Sequence, residues 1–120
     1  MQISDAESIV MEVLWQRSPQ GAEDVVAGLA RDHEWQEATI KTLLNRLLNK
    51  GAIRAEKDGR RYLYSPLLKR EDWVHGQSRS LVDRLFGGRV APLVAHFSEK
   101  GRLSKRDIAE LKRLIGELEK

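Results

Sequence analysis

Residues 35–65 combine a helical pattern with a hairpin pattern, and this pair constrains the fold more than any other part of the chain. On a wheel of 3.6 residues per turn, the apolar residues of segment 35–50 form one stripe: Ile40, Leu43, Leu44, Leu47 and Leu48. The opposite face carries Ala38, Thr42, Asn45, Arg46 and Asn49, flanked by Thr39 and Lys41. Short hydrogen-bonding side chains mixed with cations suit a helix in the DNA major groove. The alternative is an ordinary amphipathic helix with a solvated outer face.

A short hairpin is predicted directly after this helix. Gly51 suits the C-terminal cap of the helix, and residues 53–56 and 62–65 have the composition of two strands. The turn between them has Asp58 and Gly59 at its centre, a pair that tolerates the positive φ of a type I′ turn. Its cations are Lys57, Arg60 and Arg61. After a polar helix, such a ribbon predicts a wing that contacts DNA phosphates, whereas by itself it would be a solvated charged turn.

The charge of the chain is distributed unevenly. Residues 1–38 contain two basic against eight acidic side chains, whereas residues 39–61 contain seven basic against two acidic ones. The net charge of the whole chain is only +3. A positive region confined to the predicted helix and hairpin favours one docking face for DNA over general binding to polyanions.

Several functional classes are disfavoured by what the sequence lacks. The chain has no cysteine, so it can form neither a disulfide nor a thiolate metal site. No apolar run is long enough to span a membrane, and the N-terminus has no signal-peptide pattern, so we expect a cytoplasmic protein without membrane insertion. His33, His75 and His96 lie far apart, and there is no phosphate-binding loop or nucleophile motif. We expect no enzyme activity, no cofactor and no metal.

The N-terminal residues supply the helices that such a hairpin needs as a scaffold. Ser4 and Glu7 form a capping-box pattern before an apolar stripe that runs to about Arg17. Residues 18–21 break this helix, and a second helix is predicted from Ala22 to about Arg31, with Val25, Val26, Leu29 and Ala30 on its buried side. Three helices followed by a two-stranded wing predict a winged helix-turn-helix domain over residues 1–68.

Residues 69–120 predict a second, all-helical domain, so the fold class is mainly α. Helices are expected over about 70–86, about 89–98 and from a cap at Ser104 to the C-terminus. Three helices in so few residues cannot bury a sufficient core alone, which favours a homodimer over a monomer whose helices pack back on the first domain. The residues expected at the dimer interface are Phe86, Leu93, Phe97, Ile108, Leu111, Leu114, Ile115 and Leu118.

The chain resembles the penicillinase repressor family (BlaI, MecI and CopY type) over nearly its whole length. The resemblance depends on the order and spacing of several short strings. They are Leu14-Trp15, the run from Ala38 to Leu47, Lys50 to Ile53, Tyr62 to Ser65, Phe86 to Gly88, Leu93 to Phe97, and Leu103-Ser104. The resemblance implies a dimeric repressor with a winged helix and a helical dimerisation domain, which binds inverted-repeat operators with TACA and TGTA elements.

The resemblance also implies roles for individual residues. Thr39, Lys41, Thr42 and Arg46 match the family positions that touch operator bases or phosphates, and the helical wheel adds Asn45 to this face. Ala38 departs from the Lys of the staphylococcal members, which implies one lost contact. Arg60 and Arg61 would strengthen the contact of the wing with the DNA backbone.

The resemblance also implies how repression is relieved and which further proteins take part. In the β-lactam-responsive branch, a membrane-bound sensor with a protease domain triggers cleavage between an Asn and a Phe in the dimerisation domain. The matching pair here is His96-Phe97, which keeps the Phe and replaces the Asn. Cleavage there would separate the helix of residues 104–120 from residues 1–96 and weaken the dimer. The copper-responsive branch uses a cysteine-rich site, which a chain without cysteine cannot form.

Two functional hypotheses follow from these observations. The first is a dimeric, sequence-specific transcriptional repressor of a β-lactamase or related resistance operon, bound to a double-stranded DNA operator. The second is a winged-helix module for protein-protein interaction without a specific DNA target. The second hypothesis requires a more apolar outer face on the third helix than Thr42, Asn45 and Arg46 supply.

Overall fold

The computed structural model describes residues 1–30 and 32–120, and it has six helices and one small sheet within them. In chain order the elements are α1 (Asp5–Gln16), β1 (Gln20–Gly21), α2 (Ala22–Leu29), α3 (Glu37–Lys50), β2 (Ile53–Asp58), β3 (Arg61–Pro66), α4 (Arg70–Phe86), α5 (Val90–Glu99) and α6 (Lys105–Leu118). The predicted end of the second helix at Arg31 lies outside the described residues. The mainly helical fold class is therefore confirmed.

The first three helices enclose one apolar core. Ser4 caps α1 in a capping box with Glu7, and Gly51 ends α3 with a φ of 77°, which an L-residue rarely adopts. The core consists of Ile3, Val10, Met11, Leu14, Val25, Leu29, Ile40, Leu43, Leu44, Leu47, Ala52 and Ile53. Two core assignments need correction: Met11 is fully buried although the sequence did not single it out, and Ala30 is exposed.

A three-stranded antiparallel sheet covers one side of this core, with the strand order β1-β3-β2. The sequence predicted only a break where β1 lies. Gln20 pairs with Tyr64 and Gly21 with Leu63, so the segment between α1 and α2 is hydrogen-bonded to the wing. The buried side chain of Gln20 also donates from Nε2 to the carbonyl oxygen of Val13 at 3.0 Å. The loop and the hairpin are thereby held together.

The turn of the hairpin differs from the predicted one. Asp58 pairs with Arg61 as the last rung of the ladder, so the loop consists of Gly59 and Arg60 and is not centred on Asp58-Gly59. Gly59 has a φ of 65°, and no described residue other than a glycine has a positive φ. A type I′ turn needs positive φ at both central residues, so that prediction is wrong. A glycine in the first loop position is the preference of a type II′ turn, and it places Arg60 at the tip.

The chain divides into two compact units, Met1–Trp73 and Val74–Lys120. The predicted domain boundary lay at residue 68. The structural division comes later in the chain because the first turn of α4 packs against α1. The ring centroids of Trp15 and Trp73 lie 5.4 Å apart, and Arg70 forms an ion pair with Glu12 at 2.9 Å. Trp15 also donates from Nε1 to the carbonyl oxygen of Leu68 at 2.8 Å. The segment that follows the wing is thus tied to the winged-helix unit.

The second unit has no residue that is buried within one chain. This holds for every residue of α4, α5 and α6. Its large exposed apolar side chains are Val74, Leu81, Leu85, Val90, Phe97, Ile108, Leu114, Ile115 and Leu118. Each helix nevertheless begins or ends as the sequence predicts, with α4 ending before Gly87 and α6 capped by Ser104. The helices are therefore set by local signals, whereas their apolar faces remain accessible.

Glu7 is a buried acid whose charge contributes to stability. Burial raises the pKa of Glu7, but the ion pair with Lys50 and the hydrogen bonds with Ser4 more than offset this and hold its pKa below the ordinary value. A depressed pKa means that the stabilisation is present above the pKa of the unfolded chain, about 4.3, and is lost as pH falls below it.

We therefore expect a Glu7→Gln variant to be less stable than wild type at pH 7, by about 2 kcal/mol, because a hydrogen bond between charged groups is lost while the partly exposed Lys50 stays hydrated. The difference should shrink as pH falls from 5 to 3, because wild type loses the same charge. Urea unfolding at fixed protein concentration measures both values. Glu12→Gln is the control, since its partly exposed pair with Arg70 should contribute less than about 1 kcal/mol. A difference for Glu7→Gln that does not depend on pH would contradict this account.

Candidate nucleic-acid interface

The outer face of α3 is exposed along its whole length. Its buried stripe comprises Ile40, Leu43, Leu44 and Leu47. The exposed residues are Ala38, Thr39, Lys41, Thr42, Asn45, Arg46 and Asn49. A helix with this division is held by its apolar side, so its polar side chains project into solvent in the spacing that major-groove recognition requires.

The side chains on this face differ in how free they are to bind a ligand. Thr42 donates its hydroxyl to the carbonyl oxygen of Ala38 at 2.9 Å, so its oxygen remains available only as an acceptor. Lys41 forms an ion pair with Glu37 at 3.2 Å, on the same exposed helix face. In the part of the chain that the structure describes, Asn45 and Arg46 form no side-chain hydrogen bond or ion pair. The guanidinium of Arg46 is the least constrained cation of this face.

The wing presents its cations in two different states. Arg61 lies 3.9 Å from Asp58 and 3.8 Å from Glu23 in α2, so it links the wing to the helix before it. Lys57 and Arg60 have no acidic partner among residues 1–30 and 32–120. Because Arg60 occupies the loop of the hairpin, its charge projects furthest from the sheet. Arg60 is therefore better placed than Arg61 for an unopposed phosphate contact.

The positive face is narrower than the sequence indicated. Four of the seven cations between residues 39 and 61 are engaged with acids: Lys41, Lys50, Arg54 and Arg61. Lys50 turns inward to Glu7 at 2.6 Å, and Arg54 pairs with Glu56 at 3.2 Å on the surface of β2. Charge counting along the sequence missed these pairs because most of the acids lie outside the segment or across a strand. The unopposed cations are Arg46, Lys57 and Arg60.

We expect the two wing arginines to differ in their effect on DNA affinity. Arg60→Ala should weaken binding to every duplex and reduce the slope of log affinity against log salt by about 1 for each wing. Arg61→Ala should have a smaller effect, since two carboxylates already oppose its charge. Salt titrations of both variants against one scrambled duplex measure this. A flatter salt dependence for Arg61→Ala than for Arg60→Ala would contradict the assignment.

The predicted cleavage pair lies in the second unit, inside α5. His96 and Phe97 are both exposed, and the centroids of their rings lie 5.6 Å apart. Phe97 also lines an apolar groove of about 260 Å³ between α5 and α6, together with Leu93, Leu111 and Leu114. The bond between the pair lies within the last turn of a regular helix.

Two negative findings apply to the described residues. No three or more side chains of His, Asp or Glu come together there in a group that could hold a metal ion. None of the helices described combines the length and the apolar composition needed to cross a lipid bilayer.

An exposed polar helix, a basic wing beside it and two supporting helices define a winged helix-turn-helix DNA-binding protein. The family described as penicillinase repressor matches residues 3–117 of the chain. The chain belongs to this family, which makes it a DNA-binding transcriptional repressor. The family resemblance inferred from the sequence is thereby confirmed.

Two relatives and one solved structure show the extent of the similarity. The penicillinase repressor of Bacillus licheniformis is 36% identical over 116 residues, which is 97% of this chain and 91% of the relative. The methicillin resistance regulatory protein MecI of Staphylococcus aureus strain N315 is 31% identical over 95% of this chain and 93% of its own length. The solution structure of monomeric B. licheniformis BlaI with the blaP half-operator is 40% identical. The structural alignment covers 60% of this chain and 88% of the BlaI chain, with a TM-score of 0.53.

Proposed function

We propose that this protein is a homodimeric repressor that binds an inverted-repeat operator with TACA and TGTA elements and controls a β-lactamase or related resistance operon. The single observation that carries the proposal is the outer face of α3, which is exposed and polar and carries Arg46 without an acidic partner among the described residues. The relatives add the kind of target, because one is a penicillinase repressor and another a methicillin resistance regulator.

The direct contacts are assigned by position and chemistry. Thr39, Thr42, Asn45 and Arg46 project from α3 toward base edges, and Lys41 lies at the flank of the same face. Arginine recognises guanine through two parallel hydrogen bonds, and asparagine recognises adenine in the same way. Arg60 and Arg61 on the wing contribute phosphate contacts beside the helix. Ala38 offers only a methyl group where a longer side chain could reach the backbone.

Dimerisation is supported by the second unit. Its eight predicted interface residues are Phe86, Leu93, Phe97, Ile108, Leu111, Leu114, Ile115 and Leu118, and none of them is buried within one chain. Exposed apolar surface of this extent marks an interaction site in a water-soluble helical unit. A two-fold dimer would cover it and would present two copies of α3 to the two halves of an inverted repeat.

The surface of α3 disfavours the competing interpretation as a protein-docking module. A docking helix would expose apolar side chains for a partner to bury. Here the exposed positions between residues 38 and 49 carry Thr, Lys, Asn and Arg, and the leucines face the core.

We further propose that a membrane-bound sensor-protease pathway relieves repression by cleavage between His96 and Phe97. Support comes from the exposure of both residues and from the position of the bond near the C-terminal end of α5. The last turn must unwind before a protease can bind it in extended form. Mass spectrometry of the repressor from induced cells should find a fragment that ends at His96. An intact chain throughout induction would rule this pathway out.

The test of the proposed function is a titration of an inverted TACA/TGTA duplex and of a scrambled duplex of the same composition at two salt concentrations. We expect a preference for the inverted repeat of at least about 1000-fold, and a steep loss of affinity for both duplexes as salt rises. Equal affinity for the two duplexes would refute sequence-specific repression.

A further inference from the structure

A half-buried ion pair connects the first turn of α1 with the last residue of α3. Glu7, in the first turn of α1, is 1% exposed. Its Oε1 accepts two hydrogen bonds, one from the Lys50 ammonium at 2.6 Å and one from the backbone N–H of Ser4 at 2.7 Å. The Lys50 ammonium also donates to the carbonyl oxygen of Gln2 at 3.0 Å. The last residue of α3 is thus held at the start of the chain by two hydrogen bonds.

The capping of α1 does not require this arrangement. A capping box needs only one acceptor oxygen at Glu7, and that oxygen functions equally well in solvent, as Asp107 does for Ser104 in α6. Burial of Glu7 also leaves its Oε2 without a partner among the described residues, which costs stability. A charged group in such a place is tolerated because Lys50 neutralises it.

The remaining contacts between α1 and α3 set which face of α3 is buried, but among the described residues they include no directional hydrogen bond. They consist of aliphatic side chains such as Met11, Leu14, Leu44 and Leu47 in the common core, and hydrophobic contacts are not directional. A rotation of about 20° would move atoms roughly 6 Å from the helix axis by about 2 Å. That displacement exceeds the range of about 0.5 Å over which a hydrogen bond to a base keeps its strength.

We infer that Glu7 is a positioning residue for operator recognition: by holding Lys50, it fixes the rotation of α3 and so the aim of Asn45 and Arg46. The inference extends the proposed function, because it names the group that sets its specificity. Lys50 accordingly acts inside the protein and not as a phosphate contact. Loss of the pair should reduce discrimination between sequences while affinity for unrelated DNA persists.

The experiment compares Glu7→Gln, Lys50→Met and the double variant, all as full-length protein, at a temperature where each is folded by circular dichroism. The probes are the inverted TACA/TGTA duplex and its scrambled form. We expect each single variant to lower the ratio of the two affinities by about tenfold, with the double variant no worse than either. Affinity for scrambled DNA should stay within about twofold of wild type.

Three controls separate this role from others. Glu12→Gln makes the same change on α1 at a pair with Arg70 in α4 and should leave the ratio unchanged. Lys50→Arg keeps a cation within reach of Glu7 and should retain most of the wild-type ratio. If Lys50→Met flattens the salt dependence on scrambled DNA by about 1 per subunit, Lys50 contacts phosphate and the inference fails.

The remaining outcomes are also distinguishable. Variants that melt at a lower temperature but keep the wild-type ratio would show that the pair acts on stability alone, and this too would overturn the inference. Absence of any preference in the wild-type protein would instead refute the proposed function itself.

Discussion

Arg46→Ala should remove most of the preference for the operator while the protein stays folded and dimeric. Arg46 lies on the exposed face of α3, and its loss removes no side-chain hydrogen bond or ion pair among the described residues. A bidentate contact to a base contributes about 1–3 kcal/mol of discrimination, which is a factor of about 5 to 150 for each half-site. Competition titrations with operator and scrambled duplexes measure the change.

Arg54→Ala is the matched control for this variant. Arg54 lies on β2 and forms an ion pair with Glu56. Its replacement therefore removes an arginine side chain outside the proposed recognition face. We expect a small loss of affinity that is shared by both duplexes. If Arg46→Ala kept the wild-type ratio, or if Arg54→Ala reduced it as much, the assigned face would be wrong.

Leu114→Glu should convert the proposed dimer to a monomer. Leu114 is 46% exposed in the single chain and lines the apolar groove with Phe97 and Leu111, so a dimer would bury it. A carboxylate buried without a partner costs several kcal/mol, enough to weaken association by at least about 100-fold. Each chain should then bind one half-site at a time, and affinity for the inverted repeat should fall by about 100-fold or more.

Sedimentation velocity and the same DNA titrations measure both effects of Leu114→Glu. Lys112→Gln changes a neighbouring exposed residue of α6 and should leave both unchanged. The first unit should stay folded in the monomer, because its core contains no residue of α6. The circular dichroism spectrum of the variant should therefore remain helical. A Leu114→Glu protein that remains dimeric at micromolar concentration would contradict the interface proposed for the second unit.

The helices could be predicted because their signals are local. Ser4 and Ser104 cap α1 and α6 as expected, and Gly51 ends α3 in the left-handed conformation. The leucine stripe of α3 likewise determined which of its faces is exposed. In each case the residues that decide the structure lie within one or two helical turns of one another.

The features that could not be predicted from the sequence depend on how separate segments pair with one another. The two residues of β1 carry no pattern of their own and become a strand only by pairing with β3. The turn of the wing depends on which residues of β2 and β3 face each other, and Asp58 proved to be a member of the ladder. Lys50 is sequestered by an acid 43 residues away, which no count of local charge could detect. The packing of Trp73 on Trp15 moves the division between the units for the same reason.

The most direct test of the central claim is the stoichiometry and affinity of binding to three duplexes: the inverted repeat, the same duplex with one half-site scrambled, and a fully scrambled one. If a dimer places two copies of α3 in two half-sites, two chains should bind each inverted repeat. Removal of one half-site should lower affinity by about 100-fold or more. One chain per inverted repeat, or equal affinity for the intact and the half-scrambled duplex, would contradict the account.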